Sequence, residues 1–229
     1  MDGTMDGTTD GTTDGTTDGT MQVIGPEHAT ASLLLFHGLG ADGADLAPLA
    51  EHLSAGPWRF LFPDAPIRPV ALAGGMRVRA WYDMDPAGGG VEGLEASVAF
   101  ARSLLEAEIE RGVPPERIVV GGFSQGGVVA LETFLAFPRR LAGVVALSTY
   151  LHDAERAASR CELANGGGPV FMAHGGGDAM IPVTRAAQGR TVLEELGYAV
   201  RWHQYPMGHE ICPQELRELG AWLAGVLPG

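Results

Sequence analysis

Ser124 is the residue whose surroundings most clearly favour nucleophilic chemistry. It lies in Gly-Phe-Ser-Gln-Gly, residues 122–126, after the apolar segment 117–121 and before the apolar segment 127–135. A serine in the turn between a buried strand and a helix is typical of a nucleophile elbow, which lifts the hydroxyl out of the sheet. Such a turn leaves no room for side chains two positions away on either side, and glycine occupies both positions. Because glycine makes up 34 of the 229 residues, the pattern needs support from elsewhere in the chain.

A serine hydroxyl becomes a strong nucleophile only when a base removes its proton and an acid orients that base. Asp178 lies in the loop after the apolar segment 170–173, and His209 lies in the loop after the last predicted strand. Both loops follow the carboxyl ends of predicted parallel strands, where open α/β sheets place their sites. We therefore predict a catalytic triad of Ser124, Asp178 and His209, which occur in the chain order of α/β-hydrolases.

Acyl transfer also needs backbone donors for the oxyanion of the tetrahedral intermediate. The segment 36–43, Phe-His-Gly-Leu-Gly-Ala-Asp-Gly, follows the first predicted buried strand and is rich enough in glycine to turn its amides toward Ser124. We expect the N–H groups of Leu39 and Gln125 to form the oxyanion hole. A bulky substitution at Gly38 should then reduce turnover more than stability.

Other roles are open for several of these residues. Asp178 could cap the next helix, and His209 could be an ordinary loop histidine. A zinc site built from His174, Asp178 and His209 is the sharpest alternative, but no His-x-x-x-His or Cys-x-x-Cys spacing supports it, so we predict no metal site. We expect His174 to brace the Asp178 loop, His203 to be structural within a strand, and His37 to organise the oxyanion loop.

A long connector at residues 63–90 contains several prolines and glycines and no clear helix. Loops of this length inside a compact domain are usually functional, so we expect the connector beside the active site. Its Trp81 is either a core aromatic residue or a wall of the substrate pocket. Cys212, three residues after His209, could be read as a thiol nucleophile, but no strand-to-helix turn presents it.

The composition excludes several kinds of chemistry. The net charge of −13 does not suit a nucleic-acid-binding surface. All fifteen basic residues are arginine, and the missing lysine excludes a pyridoxal Schiff base, a Ser/Lys dyad and a Walker-type phosphate loop. The two cysteines, Cys161 and Cys212, make no disulfide framework, and we expect both to be reduced thiols.

The first twenty residues repeat Asp-Gly-Thr-Thr with a period of four. They cannot bury apolar surface, so we predict a disordered tail at residues 1–20 and one folded domain at residues 21–229. The chain has no signal-peptide pattern and no apolar stretch of about twenty residues, which favours a cytoplasmic protein without a transmembrane segment.

From residue 21 onward, short apolar strands alternate with longer amphipathic helices. This alternation predicts an α/β fold with a mostly parallel sheet and helices on both faces. The predicted strands are 32–36, 60–62, 118–121, 143–147, 170–173 and 200–204. The predicted helices are 45–53, 94–111, 128–137, 183–196 and 214–227.

Five sequence blocks occur in an order that resembles the carboxylesterase/phospholipase family of α/β-hydrolases, which includes acyl-protein thioesterases and bacterial type II carboxylesterases. The blocks are 37–43, 62–66, 79–83, 122–127 and 207–210. The resemblance runs from about residue 33 to about residue 223. It implies an α/β-hydrolase fold without a separate cap domain, cleavage of carboxylic esters without a cofactor or metal, and a small-molecule or lipid-like acyl ester as substrate. Homodimers are common in such proteins.

These observations lead us to expect a serine carboxylesterase that hydrolyses short to medium acyl esters through an acyl-enzyme. An acyl-thioesterase or a lysophospholipase would use the same triad. A non-catalytic binding module with the hydrolase fold is the third alternative, and it predicts a missing triad member. Two departures from the family pattern are Leu151-His152, where Leu-Pro is usual, and the triple glycine at 175–177, which should loosen the Asp178 loop.

Overall fold

The structure is a computed structural model that describes residues 20–53, 56, 58–83, 93–160 and 163–227. The tail predicted at residues 1–20 lies outside these ranges except for Thr20. Cys161 and part of the connector, residues 84–90, also lie outside them.

The described residues form strands and α-helices that alternate regularly from residue 94 onward. The strands are β1 Met21–Ile24, β2 Ala31–Phe36, β3 Trp58–Pro63, β4 Ile67–Pro69, β5 Arg77–Arg79, β6 Ile118–Phe123, β7 Gly143–Leu147, β8 Pro169–Gly175 and β9 Ala199–Tyr205. The α-helices are α1 Gly43–Leu46, α2 Leu49–Leu53, α3 Leu94–Glu110, α4 Gln125–Ala136, α5 Ala154–Ala158, α6 Val183–Glu195 and α7 Pro213–Val226. Every predicted strand lies within an observed one.

The central sheet has the strand order β1-β3-β2-β6-β7-β8-β9. All neighbouring pairs are parallel except β1 with β3, which confirms the predicted α/β fold. The register pairs Phe36 with Gly122 and Phe123 with Leu147. Because these residues end β2, β6 and β7, the loops that follow the three strands meet at one edge of the sheet.

The core has two parts, one on each face of the sheet. Leu34 of β2 packs in the cluster that includes residues of α3 and α4, whereas Leu33 and Leu35 pack in the cluster that includes residues of α2 and α7. Successive strand residues point to opposite faces, so a strand covered on both sides must be apolar throughout. All six residues of β2 are buried, as this arrangement requires.

Several elements differ from the sequence prediction. The helix expected at 45–53 is divided into α1 and α2, because Pro48 has no N–H to donate and disfavours a helical conformation at the preceding residue. The helix α1 begins earlier than expected, since Asp42 and Asp45 form a capping box at its start. The antiparallel strand β1, the hairpin of β4 and β5, and the short helix α5 lacked a periodic apolar pattern long enough to predict them.

None of the helices in the described ranges combines the length and the apolar character that crossing a membrane requires.

Candidate active site

Ser124 connects β6 to α4 in a strained backbone conformation. Its φ is +54° and its ψ is −118°, values that residues other than glycine seldom adopt and that often occur at functional sites. The N–H of Ser124 donates to the carbonyl of Leu147 at 2.9 Å, which fixes the turn to the end of β7. A Cβ at Gly122 would lie 2.2 Å from the carbonyl carbon of Gly126. The glycine at position 122 is therefore a steric requirement of the turn.

The structure brings Ser124, His209 and Asp178 together at the carboxyl edge of the sheet. The Ser124 Oγ lies 2.9 Å from His209 Nε2, and His209 Nδ1 lies 2.7 Å from Asp178 Oδ2. An ionised carboxylate can only accept a hydrogen bond, so the Nδ1 that contacts Asp178 carries the proton. Nε2 is then free to accept the proton of the serine hydroxyl.

Asp178 is buried but well provided with donors. Its Oδ1 accepts from the N–H groups of Met180 and Ile181, each at 2.9 Å. Burial opposes the charge of Asp178, but these amides together with His209 more than compensate and hold the pKa of the carboxyl below its usual value. Asp178 does not cap the next helix, because the N-cap of α6 is Pro182 and no side chain bonds there. One carboxylate oxygen instead holds the preceding turn, and the other contacts His209.

His174 lies beside the same carboxylate oxygen that His209 contacts. Its Nε2 lies 2.9 Å from the carbonyl oxygen of Ile181 and 3.3 Å from Asp178 Oδ2. The ring therefore braces the Asp178 loop, as expected from the sequence. Within the described ranges, no cluster of three or more His, Cys, Asp or Glu side chains is arranged to hold a metal ion, and hydrogen bonds account for the placement of His174, Asp178 and His209.

The loop after β2 is organised by the buried ring of His37. Its Nε2 accepts from the N–H of Ala65 at 3.0 Å, so the proton is on Nδ1, which donates to the carbonyl of Gly38 at 2.7 Å. Burial lowers the pKa of His37, although the hydrogen bond to Gly38 and the nearby Asp64 oppose this effect. A neutral ring with this tautomer fits the predicted role of His37 in shaping the oxyanion loop.

Of the two expected oxyanion donors, Leu39 lies within this loop and Gln125 directly follows Ser124. Gln125 is the first residue of α4, so its N–H has no partner within the helix. Among the residues that the structure describes, no acceptor satisfies the N–H of Leu39 or that of Gln125. Both amides are therefore available to a substrate, and that of Gln125 also lies at the positive end of the helix dipole.

Comparison with known proteins places this site in a family. The sequence profile of the phospholipase/carboxylesterase family matches residues 19–227. The chain belongs to this family. It is therefore an ester-hydrolysing serine hydrolase, as the sequence predicts.

Relatives in this family have similar lengths. The acyl-protein thioesterase 1 of Gibberella zeae is 36% identical over 220 residues, covering 87% of this chain and 92% of the relative. The acyl-protein thioesterase 1 of Mycosarcoma maydis is 38% identical over 224 residues, with coverage of 87% and 92%. The crystal structure of Zea mays acyl-protein thioesterase 2 superposes with a TM-score of 0.78 and 28% identity, covering 92% of this chain and all of that chain.

The expectation that the triple glycine loosens the Asp178 loop in this family member is wrong. The N–H of Gly176 donates to the carbonyl of Tyr205 at 2.8 Å, and that of Gly177 donates to the carbonyl of Met207 at 3.0 Å. A Cβ at Gly175 would lie 2.1 Å from the carbonyl oxygen of Gly208. The glycines thus allow the loop that carries Asp178 to lie directly against the loop that carries His209.

Trp81 belongs to the core and does not form a pocket wall. Its side chain is 0% exposed, and its indole N–H donates to the carbonyl of His37 at 2.9 Å. The backbone N–H of Trp81 donates to the side-chain oxygen of Gln125 at 2.8 Å. Of the two roles that the sequence leaves open for Trp81, the possible pocket role is therefore corrected to the core role, in which its two N–H groups bond to the His37 carbonyl and the Gln125 side chain.

Two residues of the site were missed by the sequence analysis. Ser148 follows β7 with a φ of +46°, and its N–H donates to the carbonyl of Ala173 at 2.8 Å. The hydroxyl of the next residue, Thr149, donates to the carbonyl of Ser124 at 2.7 Å. No motif marks these residues, although their position after a parallel strand could have drawn attention to them.

Cys212, the alternative thiol nucleophile, caps the start of α7, where its sulfur accepts from the N–H of Glu215.

Proposed function

We propose that this protein hydrolyses acyl thioesters, with Ser124 as nucleophile, His209 as general base and Asp178 as the acid that orients His209. The continuous hydrogen-bond chain from Asp178 through His209 to Ser124 carries the proposal. The preference for thioesters is supported by relatives at 36% and 38% identity that are named acyl-protein thioesterases.

The first half-reaction follows from the protonation states of the triad. His209 Nε2 removes the hydroxyl proton as Ser124 Oγ attacks the acyl carbonyl, and Asp178 stabilises the imidazolium that forms. The N–H groups of Leu39 and Gln125 bind the oxygen on which negative charge develops. When the tetrahedral intermediate collapses, the thiol leaves with the proton held by His209, and the acyl group remains on Ser124.

The second half-reaction regenerates the serine. Water loses a proton to His209 and attacks the acyl carbon, and the oxyanion again forms at the same two amides. Collapse of this intermediate returns the proton to Ser124 and releases the carboxylic acid.

A second candidate function is hydrolysis of oxygen esters, either esters with short to medium acyl chains or lysophospholipids. The family description, phospholipase/carboxylesterase, supports it. The triad serves both reactions, which differ mainly in the leaving group. A thiol with a pKa near 8.5 departs more easily than an alcohol, so an oxygen ester depends more on proton donation by His209.

Covalent labelling tests whether the site is catalytic at all. A fluorophosphonate probe should label the protein, and Ser124→Ala should abolish labelling and reduce turnover by more than about a thousandfold. Ser103→Ala is the matched control, since Ser103 is exposed on α3, and this variant should be labelled normally. An unlabelled wild-type protein would instead favour the non-catalytic binding module.

Matched substrates separate the two activities. We expect kcat/KM for S-acyl thioesters to exceed that for oxygen esters of the same acyl group at each chain length from C4 to C16. The opposite order across the series would support the carboxylesterase.

The homodimer and the cytoplasmic location expected from the sequence stay predictions, which analytical ultracentrifugation and cell fractionation would test.

A further inference from the structure

The peptide group that joins Ser124 to Gln125 carries two functional atoms. Its N–H, from Gln125, is a proposed oxyanion donor, and its carbonyl oxygen belongs to Ser124. In a planar trans peptide the C=O and N–H bonds point in opposite directions. Whatever holds the Ser124 carbonyl therefore also sets the direction in which the Gln125 N–H points.

Thr149 holds this carbonyl from behind. Its buried hydroxyl donates to the Ser124 oxygen at 2.7 Å, and the N–H of Gly127 donates to the same oxygen at 3.0 Å. The bond from Gly127 belongs to the start of α4. The bond from Thr149 comes from the loop after β7, so it ties the peptide group to a second, separate part of the fold.

The other proposed donor has the same arrangement. The N–H of Leu39 shares a peptide group with the carbonyl of Gly38, and this carbonyl accepts from His37 Nδ1 at 2.7 Å. In each of the two peptide groups that supply an oxyanion N–H, the carbonyl thus accepts a hydrogen bond from a side chain, although the two segments are distant in the sequence.

We propose that Thr149 is a positioning residue that aims and polarises the N–H of Gln125 through the carbonyl of Ser124. The inference rests on the proposed acyl hydrolysis, because an oxyanion must form for the donor to matter. A hydrogen bond accepted by a peptide carbonyl strengthens the N–H of the same group as a donor. The effect grows as negative charge develops on the substrate oxygen, so Thr149 acts mainly on kcat.

The methyl group and the hydroxyl of Thr149 both lie against Gly127, because a Cβ at Gly127 would be 2.6 Å from the methyl carbon and 2.8 Å from the hydroxyl oxygen. Only the hydroxyl donates to the Ser124 carbonyl. Thr149→Ser removes only the methyl group, and Thr149→Ala removes both the methyl group and the hydroxyl. A difference between these two variants therefore reports on the hydroxyl.

The experiment compares the two variants with the wild-type enzyme on one acyl thioester. We expect Thr149→Ser to keep kcat within about threefold of wild type, and Thr149→Ala to lose about ten- to hundredfold in kcat with little change in KM. This loss is smaller than the hundred- to thousandfold effect of removing an oxyanion donor outright. The affinity for an alkyl boronic acid, which forms a tetrahedral adduct with the serine, should fall by the same factor in Thr149→Ala.

Several outcomes would overturn the inference. Equal kcat in the two variants, or an unchanged boronic acid affinity in Thr149→Ala, would show that the hydroxyl has only a structural role. Titration with the fluorophosphonate gives the concentration of competent sites, so a variant that folds poorly is not mistaken for a slow one. If the wild-type enzyme is labelled and active but the two variants have the same kcat, only this inference is refuted. If the wild-type enzyme is neither labelled nor active, the proposed function is refuted as well.

Discussion

Gly126 lies so close to Phe36 that a Cβ at Gly126 would be 2.2 Å from the Phe36 carbonyl oxygen. The start of α4 therefore packs directly on the end of β2. Because Gln125 precedes Gly126 and the Leu39 loop follows Phe36, this contact sets the separation between the two proposed oxyanion donors.

Gly126→Ala should damage both stability and activity. The added methyl group would overlap the backbone of Phe36, which cannot rotate away. We therefore expect the free energy of unfolding to fall by at least about 1–3 kcal/mol. Moving α4 away from β2 should also lower kcat by at least about tenfold, because oxyanion donors act at short range. Urea unfolding and steady-state kinetics measure the two effects.

Gly220→Ala provides the control for this substitution. Gly220 lies within α7, where the atoms nearest to an added Cβ are 3.9 Å away. Alanine favours the helix by up to about 1 kcal/mol over glycine, so this variant should be as stable as wild type or more so, with unchanged kcat. A Gly126→Ala enzyme with wild-type kcat and stability would contradict the close packing of α4 on β2.

The sequence was sufficient to predict Ser124, Asp178 and His209 because Ser124 directly follows β6, and Asp178 and His209 lie in the loops after β8 and β9. In a parallel sheet the residues after the strands share one edge, so order along the chain becomes proximity in space. The hydroxyl of Thr149 and the side chain of Gln125 could not be predicted in this way. Their partners are backbone groups from distant segments, and such pairings leave no local pattern in the sequence.

Tertiary packing also explains the differences in element boundaries. The apolar pattern predicted that α4 begins at residue 128, because Gly126 and Gly127 are poor helix formers. The helix begins at Gln125 instead, since both glycines are needed for close contacts with Phe36 and Thr149. Close packing thus overrides local propensity at the site.

Asp178→Asn should reduce kcat by about ten thousandfold while the fold persists. The asparagine oxygen can still accept from the N–H groups of Met180 and Ile181, so the turn is retained. The amide nitrogen would then donate to His209 Nδ1, which moves the proton of the ring to Nε2 and prevents it from acting as a base. Kinetics and circular dichroism test the two parts, and a loss of less than tenfold in kcat would exclude Asp178 as the orienting acid.

Trp81→Phe tests the corrected role of Trp81. Phenylalanine keeps an aromatic ring in the core but removes the indole N–H, which leaves the His37 carbonyl without this donor. We expect a loss of about 1–3 kcal/mol in the free energy of unfolding from the unsatisfied group and the smaller ring. The preference among acyl chain lengths should stay unchanged, because the ring is not at the surface of a pocket. A shift of that preference in the ester series would restore the pocket role.

Glu215 should make stability fall as the pH rises toward neutrality. Burial raises the pKa of this carboxyl to about 7, although the hydrogen bond from the N–H of Cys212 opposes the shift. Its other oxygen, Oε1, has no hydrogen-bond partner among the described residues. Glu215 ionises near pH 4.5 in the unfolded chain and near pH 7 in the folded protein. Between these pH values the folded state binds more protons than the unfolded state, so the protein loses stability as the pH increases.

Glu215→Gln should remove this pH dependence. A glutamine oxygen can still accept from the N–H of Cys212, so the start of α7 keeps its cap. The difference in unfolding free energy between the variant and the wild type should therefore increase in favour of the variant from pH 5 to pH 8, by at most about 3 kcal/mol at about 1.4 kcal/mol per pKa unit.

Urea unfolding at several pH values measures this difference, and the contributions of the other titrating groups cancel because both proteins contain them. Glu195→Gln is the matched control, since Glu195 is exposed on α6 and the same unfolding series on this variant gives the effect of replacing a surface carboxylate by an amide. Parallel curves for wild type and Glu215→Gln would show that Glu215 ionises normally in the folded protein.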